Sequence, residues 1–161
     1  MKPTLLFAVV VSLFCLPVMG ELTKLPPADE AAAFKAAGFK LKGKQWRACD
    51  DASPSYTPGA IEQVRDLNGD GHLDALITEG STNCYGSAEV GYSLVAQQAN
   101  GSWKLMAQGN GMVTFLNTKG VAGWPDMEVG GPGFCFPVLR WNGKEYVLHG
   151  HQYEGKPCRG N

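Results

Sequence analysis

A short loop with oxygen-bearing groups at every second position stands out in the sequence. Its alternate positions, from the first to the ninth, are Asp66, Asn68, Asp70, His72 and Asp74. Calcium prefers about six to eight oxygen ligands, and side chains at alternate positions of a tight loop converge on one ion, with a backbone carbonyl at the seventh position. Gly69 and Gly71 permit the sharp turn that such a loop needs. These residues predict a calcium site in which His72 contributes its carbonyl oxygen.

Electrostatic repulsion supports the same prediction. Three aspartates within nine residues repel one another in the ion-free loop, and a divalent cation relieves that repulsion. The loop differs from an EF-hand, because Ile77 stands at the twelfth position, where that motif requires a bidentate glutamate. The structural alternative is a turn rich in Asp and Asn that holds no metal.

The residues that flank the loop resemble those around another class of calcium loop. The loop is followed by the strand-like run Ala75-Leu76-Ile77. Over residues 64–78 the segment resembles the strand-flanked Asp-x-Asn-x-Asp-Gly-x-x-Asp sites of FG-GAP and integrin-α-like propeller repeats. That resemblance implies a propeller-like β fold in which calcium holds a loop between two strands.

Other candidate sites in the sequence are weaker. Residues 38–44 have the spacing of a phosphate-binding loop, but Gln45 stands where Ser or Thr must ligate magnesium. His149, His151 and Glu154 lie close together near the C-terminus, yet a zinc site needs a further ligand. Serine-hydrolase and zinc-protease signatures are missing from the sequence. We therefore expect no catalytic residue, and an envelope hydrolase is kept only as an alternative function.

The elements that position the loop are predicted to be β-strands. One segment has a helical pattern, with Pro26 and Pro27 at its start and Gly38 just past its end. From residue 39 onward, glycines and Asn-Gly turns separate short β-like runs, at residues 74–78, 91–97, 102–107, 112–116 and 145–149. We expect an all-β domain of antiparallel sheets with one short N-terminal helix.

A weak internal repeat relates the two halves of the domain. Residues 74–78, with Cys84 ten residues after the first of them, match residues 126–130, with Cys135 nine residues after the first. Each half then ends in a hairpin with an Asn-Gly turn. Repeated β units predict propeller-like sheets, while coincidence among hairpins is the alternative.

The first twenty residues have the pattern of a secretory signal peptide. Lys2 precedes an apolar run over residues 5–16, and the stretch 18–20 ends in a small residue. Pro17 and the polar residues after position 20 leave this run short of the roughly 20 apolar residues of a membrane span. We expect cleavage after residue 20, which leaves residues 21–161 as one calcium-binding β domain, periplasmic or secreted and without a membrane anchor.

The cysteines fit an exported protein. Loss of Cys15 with the signal peptide leaves four cysteines, which are Cys49, Cys84, Cys135 and Cys158. An even number in an exported chain predicts two disulfides, and none of these cysteines has the Cys-x-x-Cys spacing of a redox motif. Because the repeat makes Cys84 and Cys135 equivalent, we predict the pairs Cys49–Cys84 and Cys135–Cys158.

The segment that follows the calcium-loop strand is a candidate partner-binding loop. Residues 79–87 mix glycine with short hydroxyl and amide side chains. Such composition favours binding, so we expect Ser81, Asn83 and Tyr85 to contact a partner, with Tyr85 as a rigid, exposed anchor. A purely structural loop is the alternative.

Taken together, the size, export signal, paired cysteines, β pattern and calcium loop resemble small bacterial periplasmic proteins that inhibit lysozymes or give immunity against peptidoglycan-hydrolase effectors. This resemblance implies a protein partner, a peptidoglycan hydrolase whose cleft receives an inserted loop. The alternative is an FG-GAP-like adhesion or carbohydrate-binding module that binds glycans through exposed tryptophans. With 14 basic and 15 acidic residues, the chain lacks the positive surface of a nucleic-acid-binding protein.

Overall fold

Antiparallel strands dominate the computed structural model, which describes residues 24–159. They form two curled sheets, accompanied by two short α-helices. The predicted signal peptide lies outside the described residues. Within residues 24–159, no helix is long and apolar enough to cross a membrane.

The first helix forms where the sequence predicts it. Helix α1 spans Pro27–Ala36, with proline at its first position, where the missing N–H group has no helical partner to lose. Gly38 follows with a φ of +85°, a left-handed conformation that favours glycine and ends the helix. Ala33 and Phe34 are buried in the cluster between α1 and the first sheet.

The first sheet contains six strands, which are β1 Lys40–Lys42, β2 Gln45–Arg47, β3 Thr57–Arg65, β4 Asp74–Gly80, β5 Val90–Gln97 and β6 Trp103–Asn110. Their order in the sheet follows their order along the chain. Strand β4 is buried on both faces for most of its length, because α1 packs on one side of the sheet and the second sheet packs on the other.

The second sheet contains β7 Met112–Lys119, β8 Pro125–Gly130, β9 Phe136–Trp141, β10 Tyr146–Tyr153 and β11 Lys156–Pro157. Their order in the sheet is β11-β10-β9-β8-β7. Gly111 connects the two sheets with a φ of +125°, and a Cβ atom there would collide with the carbonyl oxygen of Gly130. A glycine is therefore required at this crossing.

The predicted repeat appears as two antiparallel meanders with the same strand order, β3 to β6 and β7 to β10. Their second strands, β4 and β8, each carry a buried aspartate at or next to the first position, namely Asp74 and Asp126. Two sheets packed face to face account for the described strands. Residues 24–159 thus form two curled antiparallel sheets, and they do not close a complete propeller.

A second helix lies where the sequence predicts only a loop. Helix α2 spans Thr82–Tyr85, and a short 3₁₀ turn follows at Gly86–Ala88. The hydroxyl of Ser81 accepts a hydrogen bond from the backbone N–H of Cys84 at 3.1 Å, which caps the first turn. The prediction of a single helix missed this turn because four residues carry no helical periodicity.

The two disulfides join the predicted cysteines. Cys49 is bonded to Cys84, and Cys135 is bonded to Cys158. Both predicted pairs are confirmed. Disulfides of this kind indicate an oxidising compartment outside the cytoplasm.

Candidate functional site

The predicted calcium loop joins β3 to β4 and is wound around its own carboxylates. The backbone N–H groups of Gly69 and Gly71 donate to the two carboxylate oxygens of Asp66 at 2.7 and 2.8 Å. Both glycines have positive φ angles, +82° and +86°, which allow the chain to turn this tightly. The carboxylate of Asp66 therefore lies at the centre of the turn.

Asp70 is held in its ionised form by neighbours within the loop. The amide of Asn68 donates to it at 2.9 Å, and the backbone N–H of His72 donates at 2.9 Å. Although desolvation opposes them, these hydrogen bonds hold the pKa of Asp70 below its usual value. Asp70 is also exposed, so this side of the loop presents a negative charge to solvent.

Asp74 is the buried member of the loop, with 2% of its surface exposed. The backbone N–H of Leu67 donates to its carboxylate at 2.8 Å. Burial raises the pKa of Asp74 to about 7, and repulsion from Asp70 and Asp66 acts in the same direction. Within residues 24–159, no basic side chain forms an ion pair with Asp74.

The equivalent aspartate of the second meander, Asp126, is paired with an arginine side chain. Asp126 is 1% exposed and accepts two hydrogen bonds from the guanidinium of Arg140, at 2.9 and 2.6 Å. These bonds lower the pKa of Asp126. The loop between β7 and β8, residues 120–124, contains no carboxylate. One half of the domain therefore neutralises its buried aspartate internally, whereas the other half surrounds it with further negative charge.

The two loops lie against each other at the same end of the domain. A Cβ atom on Gly123 would lie 2.6 Å from the carbonyl oxygen of Asn68, so only glycine allows this approach. Gly123 also has a positive φ of +79°. The predicted calcium loop between β3 and β4 therefore lies beside the loop between β7 and β8, and only the first of these two loops is acidic.

The oxygen chemistry of the acidic loop fits calcium. An ionised carboxylate has about four lone-pair positions, so the hydrogen bonds made inside the loop leave oxygen sites for a cation. The described residues contain no ready-made group of three or more His, Cys, Asp or Glu side chains arranged around a metal position. This finding also covers the C-terminal residues His149, His151 and Glu154. Calcium ligation by the acidic loop thus stays a prediction.

The candidate partner-binding loop lies at the opposite end of β4. The hydroxyl of Ser81 donates to the buried carboxylate of Asp51 at 2.7 Å, and the amide of Asn83 donates to it at 3.0 Å. Led by the Ser81 hydroxyl and the backbone N–H of Ser53, hydrogen bonds lower the pKa of Asp51 to about 2. Ser81 and Asn83 therefore hold the loop in place through Asp51.

A second buried carboxylate, that of Glu79, fixes the same loop. Glu79 is 2% exposed and accepts hydrogen bonds from the backbone N–H groups of Ala48 and Cys49 at 3.0 and 3.1 Å. The hydroxyls of Tyr56 and Tyr85 also donate to it. Burial and the adjacent Glu79 raise the pKa of both tyrosines, so they remain neutral donors.

Tyr85 differs from the exposed anchor that the sequence predicts. Its side chain is half-buried, its hydroxyl is bound by Glu79, and its ring lies so close to Gly91 that a Cβ atom there would collide with it. The exposed positions of the loop are residues 82–84 and 86–87. Sequence reasoning missed Glu79 and its hydrogen bonds because their partners come from a distant segment.

Three of the four tryptophans are buried, and Trp46 is half-buried. Trp103, Trp124 and Trp141 are at most 9% exposed and belong to the hydrophobic clusters on the two faces of the first sheet. The proposed glycan contact through exposed tryptophans is therefore wrong for these residues. Their large apolar rings are buried because the two meanders close over them.

A scan against protein-family models finds no match, and searches of curated proteins and of solved structures find no significant similarity. Function is therefore inferred from the two ends of β4, the acidic loop at its start and the cross-linked loop at its end.

Proposed function

We propose that this protein is an exported, calcium-stabilised binding protein that inhibits a lysozyme-type peptidoglycan hydrolase or gives immunity against one. The observation that carries the calcium part is the buried Asp74 carboxylate, which lies beside Asp66 and Asp70 and has no basic partner within residues 24–159. Its counterpart Asp126 is neutralised by Arg140. Calcium would supply to Asp74 the positive charge that Arg140 supplies to Asp126.

The role proposed for calcium is structural. The ligands would be the carbonyl oxygen of His72 and the side chains of Asp66, Asn68, Asp70 and Asp74. All of them come from one short loop, which can close around the ion. A catalytic metal instead needs an open position beside a base or nucleophile. An ion that binds only the folded state stabilises it by about 2.7 kcal/mol when free calcium is 100 times the Kd.

The candidate partner-binding loop, residues 81–87, supports the binding part of the proposal. It is fixed by the Cys49–Cys84 disulfide, by hydrogen bonds to Asp51 and by the contact of Tyr85 with Glu79. Its tip nevertheless stays exposed. A loop that is already ordered loses little conformational entropy on binding, which suits insertion into an enzyme cleft.

The carboxylates beneath this loop are suited to structural roles. Asp51 and Glu79 are both buried, and each accepts several hydrogen bonds from groups of the protein itself. A catalytic carboxylate must instead reach a substrate proton within hydrogen-bond distance. Their positions support a rigid recognition loop.

Inhibition of purified hydrolases tests the proposal. The protein should block a lysozyme-type hydrolase at a near-stoichiometric ratio. Ser87→Arg, at the exposed tip, should weaken inhibition by about tenfold or more through steric and charge mismatch without lowering the Tm. Thr114→Arg, at an exposed position on the second sheet outside the pocket beside Asp66, is the matched control and should change neither property.

The two parts of the proposal are tested separately. If a full panel of peptidoglycan hydrolases is unaffected by the protein, the inhibitor assignment is overturned. Calcium binding is measured by calorimetry on metal-stripped protein, whatever the outcome with the hydrolases.

A further inference from the structure

A cavity of about 330 Å³ opens on the face of the first sheet that carries α1. Its floor is formed where Ser93 pairs with Gln108 and Gly91 pairs with Asn110 across β5 and β6. The ring of Tyr85 forms one wall. This volume falls at the lower end of the roughly 300–1,000 Å³ range of small-molecule sites.

The strand geometry directs two amide side chains to this cavity. Gly109 lies between Gln108 and Asn110, and a Cβ atom on it would lie 3.0 Å from the ring of Tyr92. Tyr92 packs in the cluster that faces the second sheet. Because side chains alternate along a strand, Gln108 and Asn110 project from the opposite face, where the cavity lies. Both residues are exposed.

The cavity wall is rigid at Tyr85. Its hydroxyl donates to the buried Glu79, and its ring is seated over Gly91, which has no side chain to displace it. Burial and Glu79 raise the pKa of Tyr85, which keeps the phenol neutral. An aromatic surface is thus held in place beside the amide groups.

The lining is polar but carries no formal charge. None of the ten residues around the cavity is Asp, Glu, Lys, Arg or His. An ion entering it would lose hydration without meeting a counter-charge. Amide and hydroxyl side chains offer both donors and acceptors, which match a ligand whose hydroxyl groups also do both.

We propose that this cavity binds one unit of a neutral saccharide. The amides of Gln108 and Asn110 hydrogen-bond its hydroxyl groups, and the ring of Tyr85 packs against its C–H surface. Positions two residues apart on a strand are about 7 Å apart, a separation that brackets one sugar ring. This site needs neither calcium nor a hydrolase, and residues 82–84 and 86–87, the exposed positions of the neighbouring loop, lie outside its lining, so it goes beyond the proposed function.

Titration of isotope-labelled, full-length mature protein with chitotriose, a neutral trimer of N-acetylglucosamine, tests the site by NMR. The backbone amide signals of residues 91–93 and 108–110 should shift and saturate. Replacing both Gln108 and Asn110 by alanine should weaken binding by about tenfold, because two hydrogen-bonding side chains are lost. The matched control replaces the exposed Gln45 and Asn117, which lie outside the cavity, and should leave the affinity unchanged.

Several outcomes overturn the assignment. These are an absence of shifts up to the solubility limit of chitotriose, shifts confined to residues outside the cavity, and equal losses in the cavity and control variants. Tighter binding of glucuronate or glucosamine than of N-acetylglucosamine would refute the neutral ligand class. Hydrolase inhibition is measured in a separate assay, so failure of the saccharide site and failure of the inhibitor proposal are distinguishable.

Discussion

The charge on Asp74 provides a quantitative test of the acidic loop. In the calcium-free protein, burial and repulsion from Asp70 and Asp66 raise the pKa of Asp74 from 3.8 to about 7. One pKa unit corresponds to about 1.4 kcal/mol, so ionised Asp74 destabilises the fold by up to about 4 kcal/mol. This figure is an upper limit because relaxation and water penetration reduce such penalties.

The sign of the pH dependence follows from the direction of this shift. A carboxyl group whose pKa is higher in the folded state than in the unfolded state holds its proton longer in the folded state. Below about pH 3, well under the unfolded-state pKa of 3.8, both states are protonated, and Asp74 contributes almost no difference. As the pH rises towards 7, the unfolded state ionises first, and the calcium-free protein loses stability.

Replacement of Asp74 by asparagine removes the charge but keeps an oxygen for the N–H of Leu67. In chelator at pH 8, Asp74→Asn should be more stable than the parent, by up to about 4 kcal/mol. At about pH 3, where Asp74 keeps its proton in both states, the two should be equally stable. With saturating calcium at pH 8 the order should reverse, because the variant has lost a charged ligand.

Urea denaturation followed by fluorescence gives the free energy of unfolding under each condition. Asp126→Asn is the matched control, because that aspartate is equally buried but paired with Arg140. The control should destabilise the protein both with and without calcium. If Asp74→Asn also destabilises the protein both with and without calcium, the charge of Asp74 is already compensated in the calcium-free protein. The proposal that calcium neutralises Asp74 is then refuted.

Four other variants test the acidic loop, the buried Glu79 carboxylate and the Cys49–Cys84 disulfide. Asp70→Ala should abolish the rise in Tm that calcium produces. His72→Ala should preserve that rise, because the expected ligand is the backbone carbonyl oxygen of this residue. If calorimetry detects no calcium binding at millimolar calcium concentration, the proposed site is contradicted. Glu79→Gln should lower the free energy of unfolding by about 2–4 kcal/mol, because the NH₂ group of the new glutamine must face hydrogen-bond donors in a buried site. An unchanged midpoint of urea denaturation would contradict this prediction. Replacing both Cys49 and Cys84 by serine removes a cross-link between residues 35 positions apart. On the chain-entropy model this should lower the free energy of unfolding by about 3.8 kcal/mol. A double variant as stable as the parent would disprove this expectation.

Local patterns in the sequence were sufficient to predict five of the eleven strands within residues 24–159. The predicted β runs overlap β4, β5, β6, β7 and β10. Alternating side chains and Asn-Gly turns act between near neighbours, so they can be read without knowledge of the fold. The repeat also argued against a Cys84–Cys135 bond, because it places these cysteines at equivalent positions in the two meanders, and this removed one of the three possible pairings.

Only the tertiary structure decided how the candidate binding loop is built. Glu79 meets the backbone of Cys49 from 30 residues away, and Asp51 meets Ser81 across the same separation. Contacts of this kind depend on which segments the fold brings together, and residue type carries no local signal of them. The same reason explains why Tyr85, which the sequence presents as a free aromatic, has its hydroxyl bound by a buried carboxylate and its ring seated on a glycine.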